Sequence, residues 1–65
     1  VVQDVKIGDL VYWINRDYNI IEDIGIVVDL TGLDAYILWQ RVPELSGWHE
    51  REHSYLELVE NAEEN

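Results

Sequence analysis

Cysteine is absent from the 65 residues, which excludes a disulfide framework and any Cys-based zinc or redox site. Basic residues are scarce. Lys6, Arg16, Arg41 and Arg51 stand against 14 Asp and Glu, giving a formal net charge of −10 and a pI near 4.2. Nucleic-acid backbones are bound by several Lys or Arg that release counterions, so no direct contact with DNA or RNA is expected. No run approaches the roughly 20 apolar residues of a membrane span, and the N-terminus lacks a basic flank ahead of an apolar run. A soluble protein with no membrane partner is the expectation. Val1 rather than Met stands first, as after processing or trimming. No segment longer than about ten residues keeps a 3.6-residue apolar period, which argues against a helical bundle. There is no internal repeat, no Gly-rich phosphate loop, and no motif flanking Ser46 or Ser54 that would mark a nucleophile.

What remains is a single small domain with an economical core. A chain of this size buries only roughly 60% of the surface its unfolded form exposes, so large side chains must fill its interior. The apolar fraction of 48%, with three Trp and four Tyr, suffices for that. Residues 6–60 read as the folded unit, with 1–5 as an N-terminal extension and 61–65 as an acidic tail.

The segment Leu10-Val11-Tyr12-Trp13-Ile14 follows the turn-like Gly8-Asp9 and is β-branched and aromatic, which makes it a first strand. A long loop through Glu22-Asp23 leads to a second strand over 24–30. Its apolar residues at 24, 26, 28 and 30 imply one buried face, with Gly25 opposite the core. Thr31 to Asp34 forms a turn. Ala35 to Gln40 makes a third strand, apolar on both faces, and Gly47 to Glu50 a fourth. Glu52 to Tyr55 fits a 3₁₀ turn, and Leu56 to Glu60 closes the set. Five short strands joined by tight turns are expected to close into a small barrel.

This order resembles that of SH3-like barrels, most clearly in the last third, where Gly47-Trp48, a polar turn ending in Tyr55, and Leu56-Glu57-Leu58 match the end of an SH3 domain. The combination of Lys6-Ile7-Gly8-Asp9-Leu10-Val11, Asp23-Ile24-Gly25-Ile26-Val27 and Gly47-Trp48-His49 with Leu56-Glu57-Leu58 is similar to small uncharacterised proteins of tailed bacteriophages. Together the matches cover about residues 6 to 59. The resemblance implies an all-β, five-stranded SH3-like barrel with a 3₁₀ turn before the last strand, and, for a phage protein, residence in the host cytoplasm. The chain departs from peptide-binding SH3 domains in lacking a Trp-Trp pair at the start of the third strand and a Pro before the 3₁₀ turn, which argues against recognition of Pro-rich helices.

His49-Glu50-Arg51-Glu52-His53 matches H-E-x-x-H, the zinc-binding pattern of metalloproteases. That chemistry needs a helix of about two turns and a third protein ligand. Gly47 and Trp48 immediately upstream, and the absence of an apolar helical face, argue against both. No metal and no cofactor is implied, and an enzyme is not expected.

Aromatics are the candidate contact residues. Trp13, Trp39 and Trp48 serve either as core or as contact surface, and Tyr12, Trp13, Tyr18, Trp48 and Tyr55 are the binding candidates, lining the groove that SH3-like barrels use. Rigid aromatics with polar neighbours are what contact sites are made of. A face left over once the barrel is filled would mark a protein partner or a homodimer. The expected function is therefore a non-enzymatic protein-interaction module. Two alternatives stand beside it: an acidic DNA mimic that inhibits a nucleic-acid enzyme, and a structural subunit of an assembly.

Overall fold

The computed structural model describes residues 4–59. Residues 1–3 and 60–65, which include most of the expected extension, the end of the expected fifth strand and the acidic tail, lie outside the described residues. The all-β expectation holds. Strands β1 (Leu10–Asn15), β2 (Ile20–Leu30), β3 (Asp34–Trp39), β4 (Gly47–Glu50) and β5 (Leu56–Leu58) form one antiparallel sheet in the order β4-β3-β2-β1-β5. The first four strands meander and β5 returns beside β1. Among the described residues no ladder joins the edge strands β4 and β5, which have only four and three residues. The sheet is thus unclosed, which corrects the expectation of a closed barrel, and the ends are brought together by side chains instead. The His49 ring of β4 lies 6.0 Å from that of Tyr55, just ahead of β5.

Three local readings are corrected. The first is the loop between β1 and β2. Asn15 pairs with Ile20, so the connection is only the four residues between them, and Glu22-Asp23 belongs to a strand. The Asn15 Oδ1 accepts the Asp17 N–H at 3.0 Å, and Asn19 takes φ 56°, a left-handed position that Asn tolerates well. The second concerns the 3₁₀ turn. A 3₁₀ helix does stand upstream of the last strand, but at Pro43–Leu45, between β3 and β4. Pro43, the only proline, presets its φ. The segment 51–55 instead makes tight turns, with His53 N–H donating to the Glu50 carbonyl and Leu56 N–H to that of His53.

The third correction inverts β2 as far as Val27; past the irregularity at Val28, Leu30 pairs with Ala35 and packs against the core as expected. The buried residues of β2 are Asp23, Gly25 and Val27, whereas Ile26 and Val28 are exposed. Gly25 therefore lies on the core face. A Cβ there would stand 2.6 Å from Ile37 Cγ2 and from Trp39 Cε3, so the missing side chain is the space these two occupy. Irregularities at Trp13/Ile14 and Val27/Asp29 let this 11-residue strand serve β1 with its first half and β3 with its second.

The core is the inner face of the curled sheet: Val11, Val27, Ala35, Ile37, Trp39 and Leu56, with Trp13, Leu30, Val42, Tyr55 and Leu58 packed against it. Val5, within the segment read as an extension, is also a core residue at 4% exposure. Val11, Val27, Ile37 and Leu56 are the largest fully buried side chains, and burial of each stabilises the fold by about 1.5–3 kcal/mol.

Candidate functional site

Two surfaces deserve comparison as sites, one at the open end of the inner face and one across the outer face. The inner end is aromatic. Trp13 packs against Trp39 with ring centroids 5.2 Å apart and against Tyr55 at 5.5 Å, and His49 meets Trp39 edge-on at 5.6 Å. The Trp39 indole N–H donates to His49 Nε2 at 3.1 Å. An indole nitrogen can only donate, so the shorter Trp39 contact makes Nε2 an acceptor and places the ring proton on Nδ1, facing the Tyr55 hydroxyl oxygen at 2.9 Å; the Leu45 carbonyl oxygen, 3.3 Å from Nε2, then makes no hydrogen bond to it. Burial pushes the Tyr55 phenol above its ordinary value, and the charge of Glu50 adds to this. His49 is in a strand and His53 beyond a turn, so the H-E-x-x-H segment is not helical, and both nitrogens of His49 are engaged within the fold. No group of three or more His, Cys, Asp or Glu arranged to hold a metal occurs among the described residues.

Beside this cluster a pocket of about 400 Å³ is lined by Trp13, Asn15, Glu22, Asp23, Arg41, Val42 and Leu45. Its carboxylate at Asp23 is 3% exposed and already occupied. It accepts backbone N–H groups from Ile24 at 2.7 Å, Arg41 at 3.0 Å and Val42 at 3.1 Å. Burial by itself would raise its pKa. The three N–H bonds and the Arg41 charge together outweigh that and hold it below its ordinary value. Asp23 is thus an ionised clamp on the turn after β3. It is no general base, because its lone pairs point at the backbone.

The outer face carries apolar side chains in register. Leu10 of β1 lies opposite Ile26 of β2, which lies opposite Leu38 of β3, and Tyr12 faces Ile24 one row away. Leu10, Ile26 and Leu38 are 45%, 39% and 45% exposed. A shallow depression of about 460 Å³ runs over them, bordered by Ile24 and Gln40. Further along the same face, Tyr36 of β3 and Trp48 of β4 are cross-strand partners, with rings 5.2 Å apart at 85°. Trp48 leaves 48% of its surface in water. Leu10, Ile26 and Leu38 with Tyr36 and Trp48 thus make an apolar and aromatic row on the outer face.

The five residues singled out from the sequence do not converge. Trp13 and Tyr55 belong to the inner cluster, Tyr12 and Trp48 lie on the outer face, and Tyr18 stands at the tip of the β1–β2 hairpin, 74% exposed. Sequence reasoning passed over Leu10, Ile26, Tyr36 and Leu38. Tyr36 and Leu38 carry a signal, since strand three is apolar on both faces and must leave one of them outside a core one layer deep; Ile26 carries none, because the periodicity of β2 places it inside.

No protein-family model matches this sequence, and neither characterised proteins nor solved structures provide a match. Among the described residues no helix is long and apolar enough to cross a membrane.

Proposed function

We propose that this chain is a non-enzymatic protein-interaction module of SH3-like type that docks its partner on the outer face of the sheet. The observation that carries this reading is the row Leu10, Ile26 and Leu38, aligned across three strands and continued by the Tyr36–Trp48 pair, all outside a core that is complete without them. The meander of four strands with β5 returning beside β1 supports the SH3-like part of the reading. The engaged state of Asp23 and His49 supports the non-enzymatic part, since the two groups best suited to proton transfer already serve the fold.

Trp48 is the contact residue to test, because a half-exposed Trp within a contact commonly carries much of its energy. Trp48→Ala is expected to keep the wild-type circular dichroism and melting curve within a few degrees while losing the partners that the immobilised domain retains from a lysate at high salt. Capture that survives Trp48→Ala but is abolished by salt would contradict the docking role and favour the acidic-mimic alternative, since screening removes long-range attraction between exposed charges.

A further inference from the structure

The charges on the outer face are unevenly placed. Asp29 lies opposite Tyr36 in the β2–β3 register, Tyr36 lies opposite Trp48, and Asp34 of β3 lies directly opposite Glu50 of β4. Three carboxylates therefore surround the aromatic pair, at one end of the aliphatic row. Like charges at directly opposed positions of an antiparallel ladder repel. Arg51, next after Glu50, gives its guanidinium to the Thr31 and Gly32 carbonyls of the adjoining turn, and a partner's cation placed over the Asp34–Glu50 pair would relieve the repulsion between the two carboxylates. At the other end of the face, Glu57 stands opposite Tyr12 and is balanced by Arg16, whose Nη2 is 2.9 Å from its carboxylate. The Trp48 indole adds a second attraction of the same sign, because the face of an exposed Trp ring favours an ammonium or guanidinium group.

Resting on the reading of the outer face as a docking surface, we propose that its occupant is a cationic, amphipathic polypeptide segment of a partner protein. Apolar side chains of that segment seat on Leu10, Ile26 and Leu38, and its Lys or Arg side chains lie over Tyr36–Trp48 and the carboxylates of Asp29, Asp34 and Glu50. A second copy of this chain is a poor occupant. Each copy carries a net charge of −10, and a self-complementary contact must bring the acidic surroundings of one face against the same surface of another.

The test titrates the folded domain with three synthetic peptides of equal length, alternating Leu with Lys, Leu with Ser and Leu with Glu, and follows the amide signals of Ile26 and Leu38 and the indole signal of Trp48 by NMR. The Leu–Lys peptide is expected to shift these signals and to bind about tenfold more tightly than the Leu–Ser peptide. The double variant Asp34→Asn/Glu50→Gln should remove most of that preference. Asp17→Asn/Glu44→Gln, which deletes the same charge away from the face, should leave it largely intact. Equal weakening by the two double variants would overturn the proposal, because net charge alone would then explain the attraction. Equal binding of the Leu–Lys and Leu–Ser peptides at the outer face would overturn the cationic preference and leave the docking surface standing. No shift on the outer face with any peptide, or a stable dimer formed through it, would overturn both.

Discussion

Gly25→Ala is expected to remove a large part of the domain's stability in water. The added Cβ would sit 2.6 Å from Ile37 Cγ2, 2.6 Å from Trp39 Cε3 and 2.9 Å from the Leu38 carbonyl oxygen. The first two atoms belong to buried side chains, and the third to the ladder between β2 and β3, so none can retreat without opening the core or the sheet. Overpacking a core costs about 1–3 kcal/mol where side chains can adjust, and occasionally more. With backbone in the way, about 4 kcal/mol is the expected scale here. Total stability of a domain this size is about 3–10 kcal/mol at the usual value per residue. Gly32→Ala is the control, since a Cβ there meets nothing within 4 Å. Urea unfolding of both variants decides the matter: equal midpoints would show that β2 and β3 do not approach as described.

Asp23→Ala is expected to cost about 3 kcal/mol, because it removes charged acceptors from three backbone N–H groups at once. Asp23→Asn should recover only part of the loss, since its amide NH₂ would face those same donors. The pH dependence has a definite sign. The folded pKa of Asp23 lies below its ordinary value of 3.8. Its contribution is therefore fully present above the unfolded value and disappears as pH falls through the lower, folded one. Wild-type stability should drop in acid below about pH 4, and both variants should show a shallower drop. Parallel acid limbs in wild type and Asp23→Asn would refute the role of the ionised clamp.

These two residues also explain which parts of the structure were legible in the sequence. The strands around Val11, Ile37, Trp48 and Leu56 are evident from β-branched and aromatic residues between turn-forming ones, and the structure places them within a residue or two of the expected limits. Turn chemistry was also legible at Thr31, whose hydroxyl accepts the Asp34 N–H at 2.9 Å. The orientation of β2 was not. Residues 24, 26, 28 and 30 are apolar, and the other face offers a carboxylate at 23 and no side chain at 25, so periodicity selects the wrong side for all but Leu30, which the irregularity after Val27 turns inward. The core face is rich in β3 side chains and poor in those of β2. Gly25 admits Ile37 and Trp39, and Asp23 is buried because the turn after β3 brings Arg41 and Val42 N–H groups to it, a partnership 18 and 19 residues away along the chain. The same non-local clamp explains why Glu22-Asp23 reads as a loop and is strand. The candidate site was half legible. Trp48 and Tyr12 stand out as aromatics, but the row that joins them is Leu10, Ile26 and Leu38, aliphatic residues whose exposure follows from the orientation of β2.

That orientation is what the docking surface depends on, and a pair of adjacent substitutions tests it. Circular dichroism melts of Ile26→Asp and Val27→Asp would compare a carboxylate on the outer face with one in the core. Ile26→Asp is expected to fold with a loss of about 1 kcal/mol or less, as for a polar residue on a solvated strand face. Val27→Asp, which buries an unpaired charge at a position 1% exposed, is expected not to fold. A folded Val27→Asp beside an unfolded Ile26→Asp would mean that the row Leu10, Ile26 and Leu38 is core, and that no docking face exists there.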